Sequence, residues 1–373
     1  MPIHLTKPDF PQQALVIEQI FQKKLLIVTD FDMRGLDDDG FHKFINAVKN
    51  TIELDSTIDM IVVDITGDPC RPDDPDVPHN PLKFQHHLSK IAPTVMVTED
   101  YNYWYNQSNT VIFFPWQLWL YSTKSVGKLY QYQNTVYDTK IEKISSVVCL
   151  NRNLHWHRLY LFGLLAKRSW FDKINYSFIE PLGDRLDSPY GIKRHLNADE
   201  IQAIAVHGHL LPMRLKEETQ LRSYKNHTAW FSGGASVDNP AHSNYAVNLI
   251  TETSLTEGVV ITEKTCKAIM SYQIPIIVGP VGVCQFLEDF GIDMFSDIIP
   301  WQSWDSQKDH KLRMLMIVDF LEQLLSKETA EQDILDLHTS LHARLIKNKQ
   351  YFHSEEFVDK VTKQIKTYQY GTS

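Results

Sequence analysis

Apolar residues along this chain fall into short runs separated by stretches of helical period, and that alternation predicts strands and helices taking turns. Residues 25–30 form one run of strand formers, and residues 40–49 follow it with an amphipathic helical pattern. Further strand-like runs are predicted at 59–65, 94–98 and 109–115, with a helix over 82–90 between two of them. A polar stretch from Ser122 to Glu142 interrupts the series. It then restarts with a strand over 144–150, a helix over 155–168 and a strand over 174–179. Residues 180–239 are polar and irregular apart from a helix over 198–207. The pattern resumes from Ala246 and ends in two long amphipathic helices, 312–325 and 331–347. Strands alternating with helices predict an α/β protein with parallel sheets covered on both faces. The five prolines between Pro69 and Pro81 rule out helix or central strand and predict a surface loop.

Composition narrows the class. At 373 residues and 43% hydrophobic, the chain is too long for one typical core and suits two domains. The polar interval places a boundary near residue 141, giving an N-terminal lobe (1–141), a second lobe (142–325) and a C-terminal helical segment (326–373). There is no apolar run of about 18 residues, and residues 1–8 lack a signal peptide's basic start and apolar stretch, so a cytoplasmic protein without a membrane span is expected. The four scattered cysteines read as reduced, packed thiols. A net charge of −9 without a basic run lacks the usual electrostatic footprint for gripping nucleic acid.

The most informative stretch is 259–282. Thr262 is placed to cap a helix starting at Glu263, and Lys264 and Lys267 then share a face near its positive end. Pro275 opens a short strand over 276–278, and Gly279 to Gly282 let the backbone turn close to a ligand before the next helix. Strand, glycine loop and helix together suit a nucleotide diphosphate. The alternative is a surface ion pair between Glu263 and Lys267, worth about 0.3–0.5 kcal/mol, beside an ordinary turn. Ligands of open α/β sheets bind beyond the carboxyl ends of the strands. This brings in Asn151, Arg152 and Arg158 after the strand at 144–150; the fork of Arg152 can clasp two phosphate oxygens, whereas Arg158 reads equally as a helix-surface charge.

Residues 259–282 resemble the donor-binding half of the fucosyltransferase-like and exostosin-like GT-B glycosyltransferases, in which a Ser/Thr-Glu-Lys helix precedes a small apolar strand ending in Gly. Residues 147–162, with Asn151-Arg152 and His157-Arg158, resemble the strand, Asn-Arg loop and His-Arg helix that open the same half in bacterial, phage and viral members. Residues 248–252, ending in Glu252, also fit. The resemblance covers about residues 145–305 and departs at 291–295 and 301–305. It implies two Rossmann-like lobes with C-terminal helices. It also implies a nucleotide-diphosphate sugar as co-substrate with no further cofactor, Glu263 on the ribose hydroxyls, and Lys264 and Arg152 on the diphosphate, without a metal.

An inverting transferase needs a carboxylate to take the acceptor's proton. The loop after the first strand offers Asp32 and Asp37 as leading candidates, with Asp37–Asp39 alternatively capping the helix at 40–49. The acceptor is expected to be a glycan or another hydroxyl compound, with hydroxylated phage DNA disfavoured by the acidic balance. Two other classes stay open. Asp30-Phe-Asp32 resembles the aspartates of haloacid-dehalogenase phosphatases, although Met33-Arg34 replaces their Gly-Thr, and could also serve as a GT-A metal site. A nucleotide- or carbohydrate-binding protein without catalysis would keep the same second lobe. The pairs His86-His87, His155-x-His157 and His207-x-His209 lack further ligands at a metal-site spacing and read as core or surface residues. Tyr101, Tyr103, Trp104 and Tyr105 suit stacking on an acceptor or core packing.

Overall fold

A computed structural model describes residues 3–4, 25–29, 38–64, 86–98, 111–113, 115–124, 140–151, 155–178, 195–211, 240–253, 255 and 259–370. It is an α/β protein with two parallel sheets among these residues. Two compact units divide the chain: one of Met1–Leu120, Gly258–Val260 and Val358–Ser373, the other of Tyr121–Glu257 and Ile261–Phe357.

In the first unit, β1 (Ile3–His4), β2 (Leu25–Thr29), β3 (Met60–Asp64), β4 (Thr94–Thr98) and β5 (Val111–Phe113) pair in parallel and in chain order. Between β2 and β3 runs α1 (Asp38–Leu54), whose Phe41 and Val48 pack with Leu26, Val28, Ile61, Val63 and Met96. These strand residues alternate, so they share one face. Val62, pointing the other way, is equally buried, and β3 is covered on both sides as expected of a parallel sheet. Among the described residues these strands follow one another across the sheet in chain order. Helix α2 (Trp116–Ser122) leads out of this unit.

The second unit is built on β6 (Ser145–Asn151), α3 (Trp156–Leu165), β7 (Ile174–Phe178), α4 (Ala198–His207), α5 (Pro240–Ser243), β8 (Tyr245–Thr251), α6 (Glu263–Met270) and β9 (Ile274–Val278). Its strands lie in the order β7-β6-β8-β9, all parallel. The chain therefore steps outward from β6 to β7, then returns to the other side of β6 for β8 and β9. Right-handed crossovers put α3 and α6 on opposite faces. Every residue of β8 is buried. Pro275 lies inside β9 and does not open it; β9 is an edge strand, where a residue without an N–H costs no ladder bond.

Helices α7 (Val283–Asp289), α8 (Gln302–Asp305), α9 (His310–Leu325), α10 (Ala330–Ser340) and α11 (His342–Phe352) follow, and α12 (Glu355–Tyr370) ends the chain's described part. Helix α9 packs on α3, α11 packs on α6, and α10 lies against β6 and β8. The single helix predicted over 331–347 is thus two, broken at Leu341, whose amide bonds back to Leu337 and His338. At the amino-terminal edge of this sheet, Lys143 Nζ donates to the carbonyls of Lys140 (3.0 Å), Ser243 (3.0 Å) and Ser271 (2.6 Å). One ammonium ties the entrances of β6 and β8 to the end of α6.

Candidate functional site

The strand order reverses between β6 and β8, and the carboxyl ends beside such a reversal are where open α/β sheets form their ligand crevice. Its floor is polar and satisfied. Thr251 Oγ1 donates to Asn151 Oδ1, and Asn151 Nδ2 donates to Cys149 Sγ at 3.3 Å. Burial pushes the Cys149 thiol up to about 12, so the sulfur stays protonated and inert.

From one face, the first turn of α3 brings His157 and Arg158, both buried. His157 Nε2 donates to the Glu252 carbonyl at 3.0 Å. Burial, reinforced by the positive charge of Arg158, holds its imidazole well below the ordinary histidine range, so it sits neutral. Arg158 Nη2 reaches the carbonyls of Thr251 and Glu252, each at 3.4 Å. Burial lowers its pKa, and the carboxylates of Glu252 and Glu263 work against that shift. Arg158 is therefore an internal cation of the crevice, and the helix-surface reading is corrected.

From the other face comes the head of α6. Thr262 occupies the N-cap with extended backbone, and its hydroxyl accepts from the Lys264 amide at 3.4 Å, as its residue type predicts. Glu252 lies fully buried just past β8 and fills the position an anion would take. Its carboxylate accepts from the Thr262 amide (3.3 Å), the Thr262 hydroxyl and the Thr265 hydroxyl (2.6 Å). Glu252 and Thr262, expected at the ligand, spend these groups on each other. The reason is that a helix head beside a buried strand end must have its donors satisfied, and the dipole favours a negative partner.

Lys264 stands outside that clamp. Its Nζ donates to the hydroxyls of Thr253 and Thr262, each at 3.2 Å, and pairs with Glu263 at 3.4 Å. Burial opposes ionisation of Glu263, yet Lys264 and Lys267 outweigh it and hold the carboxyl at about 2. Lys267 is buried, and that burial lowers it to about 8 despite Glu263.

Gly279 ends β9 against Glu252: a Cβ there would stand 3.4 Å from Glu252 Cγ and 3.2 Å from Ile277 Cγ2. Gly282 has φ +79 and caps α7. Its amide donates to the Asp305 carbonyl at 2.9 Å, and the Asp305 carboxylate accepts from the amides of Cys284 (3.1 Å) and Gln285 (3.0 Å). The glycine loop was expected to offer amides to a phosphate; at Gly282 and the head of α7 they are taken by Asp305. Buried Arg313, pushed down to about 10 by burial and supported by Asp305, lies beside it.

The structure thus brings together Asn151, Arg158, Glu252, Thr262, Glu263, Lys264 and Gly279, and sets Gly282 apart under Asp305. Arg152 and the aspartates Asp30, Asp32 and Asp37 lie outside the described residues, as do Tyr101, Tyr103, Trp104 and Tyr105. Helix α1 begins at Asp38, directly after Asp37. Sequence reasoning noted His157 beside Arg158 but gave it no role at the site, and it missed Asp305 as the cap of α7. For Asp305 the available signal was its place in the 301–305 block, where the sequence departs from the pattern it otherwise resembles. Among the described residues no group of three or more His, Cys, Asp or Glu side chains is arranged to hold a metal, and no helix is long and apolar enough to cross a membrane. Compared with known proteins, the chain matches no family model and no curated protein.

Proposed function

We propose that the protein is a two-lobed GT-B glycosyltransferase whose second unit binds a nucleotide-diphosphate sugar and transfers the sugar, with inversion and without a metal, to a hydroxyl acceptor. The observation that carries the reading is the strand reversal between β6 and β8, whose crevice holds Arg158 on one side and Lys264 on the other. Breaking a sugar–phosphate bond leaves negative charge on the departing diphosphate, and fixed cations at a sheet's carboxyl edge stabilise that charge. The Glu252 clamp refines the assignment. With the head of α6 already neutralised, the diphosphate is held by side chains, by Lys264 and by Arg152, the residue that follows β6 in the sequence, with Glu263 ionised for the ribose hydroxyls. An inverting transfer also needs a carboxylate to take the acceptor's proton, the role read for Asp37 or Asp32 from the sequence. Among the described residues Cys149, Cys266 and Cys284 are buried and form no disulfide, which suits a reducing, cytoplasmic setting.

The test is thermal stabilisation by UDP, GDP, CMP and dTDP followed by titration of the strongest binder. Lys264→Ala is expected to weaken that nucleotide about tenfold or more, the effect of losing a charge-assisted bond. Wild-type protein that none of the nucleotides stabilises, or a Lys264→Ala variant with unchanged affinity, rejects the reading.

A further inference from the structure

Three aromatic rings from three separate stretches meet on the carboxyl-edge rim of the second sheet. Trp156 sits on the first turn of α3, only half-buried, while Trp170, Trp301 and Trp304 are all in the core. His195, which is exposed, lies parallel to the indole, with centroids 4.7 Å apart and planes 17° apart. His310 approaches from the start of α9, 6.3 Å away and tilted by 51°. Its orientation is fixed: Arg313 Nη2, which can only donate, contacts His310 Nδ1 at 2.6 Å, leaving the ring proton on Nε2.

The rim is braced as well as assembled. One turn along α3, the Tyr160 ring lies under Lys311 Nζ at 5.6 Å, and Lys311 pairs with Glu200 of α4 at 2.7 Å. It is also joined to the crevice through a single side chain. The His157 ring stands edge-on to Trp156 at 5.8 Å while its Nε2 holds the Glu252 carbonyl. A large flat ring kept out of the core, stacked on a second flat ring and held rigid beside a cationic crevice, is built to receive another flat ring.

We infer that Trp156, with His195 laid against it, forms the stacking surface for the base of the bound nucleotide, and that His310 lies at the edge of that base. The inference rests on the nucleotide-binding reading of the crevice and adds where the base goes. Stacking on a side-chain ring is tolerant of base identity, because every base presents a π face. The rim therefore supplies affinity for nucleosides over plain diphosphate, and only the edge contact separates one base from another.

The experiment measures two affinities in the full-length protein, for the nucleoside diphosphate that stabilises it most and for inorganic pyrophosphate. Trp156→Ala is expected to lose about tenfold or more for the nucleoside diphosphate, the share of a stacked base, with pyrophosphate changed less than twofold. Trp156→Phe is expected to recover most of the loss. Should Trp156→Ala fold poorly, His195→Ala on the exposed side of the stack is expected to show the same split. Equal loss for both ligands, or none for the nucleotide in a protein where Lys264→Ala does weaken it, overturns the stacking surface and leaves the transferase reading standing. A wild-type protein that binds pyrophosphate and nucleoside diphosphate equally well overturns it too. No binding of either ligand removes both.

Discussion

At the scale of single residues, the second unit is governed by buried charges and by the groups that neutralise them. Glu252 and Asp305 each close the head of a helix, and their partners are amides and hydroxyls supplied by neighbouring turns. Histidines show the opposite solution, in which burial keeps the ring neutral. His242 is held down to about 3 by burial, aided by Lys267, and His338 to about 4 by burial against the pull of its bond to the Tyr272 carbonyl. Both values lie below that of an unfolded chain, near 6.5, so the unfolded state binds more protons and stability falls as pH falls below about 6.5. Carboxylates remain largely ionised down to about pH 5, which leaves the window between 6.5 and 5 to the histidines. The urea midpoint is expected to drop across that window, and His338→Gln to flatten the drop; a midpoint constant from pH 6.5 to 5 contradicts this. Glu263 adds its own loss only at lower pH, from about 4.5 toward 2. Lys143, pushed down to about 7 by burial, acts in the same direction above neutrality, where stability rises as the unfolded chain alone keeps its proton.

At the scale of elements, helix ends decide the geometry. Helix α6 ends with the amide of Gln273 bonded to the Ala268 carbonyl (2.9 Å) and that of Tyr272 to Ile269 (3.3 Å), the left-handed residue being Tyr272 at φ +56. Lys349 Nζ lies 4.4 Å from the Tyr272 ring centroid, so the side chain has a packing role that glycine would not supply. Helix α7 ends the same way on Gly291, at φ +92. A Cβ there would meet Tyr351 Cε1 and Oη at 2.8 Å, and that hydroxyl is held by the Phe290 carbonyl at 3.0 Å. Gly291→Ala therefore combines a left-handed backbone with a clash and is expected to cost about 2–4 kcal/mol in urea unfolding. Gly282→Ala, at φ +79 with nothing within 4 Å of the added carbon, is expected to cost only about 1–2 kcal/mol. Equal losses for the two would remove the contact argument. Pattern alone placed α4 at its observed bounds and α1, α3 and α9 to within a few residues; α9 buries one stripe at helical spacing, whereas α3 is buried nearly all round. It ran α10 and α11 together, since the break at Leu341 carries neither glycine nor proline; Ser340 Oγ donates to the Leu337 carbonyl there (2.6 Å), a competition with the helix that no period reveals.

At the scale of the whole molecule, two compact units with separate sheets predict two cooperative transitions. Ligand bound in the crevice stabilises only the unit that holds it. In scanning calorimetry, nucleoside diphosphate at about a hundred times its Kd is expected to raise one transition by about 2.7 kcal/mol and leave the other in place. A shift of both, or of neither, speaks against a site confined to the second unit. The alternation of apolar runs with helical stretches determined by itself that the chain is α/β with parallel strands, and Thr262-Glu263-Lys264 marked a capped helix, because periodicity and capping are local properties of neighbouring residues. What only the tertiary structure decided is which strands adjoin and which carboxylates satisfy which helix heads. The reversal between β6 and β8, the burial of Arg158, the Glu252 clamp and the closure of the glycine loop by Asp305 all join residues distant in the chain. Their partners are chosen by packing and by the cost of leaving a buried polar group unmet, and no local pattern encodes either.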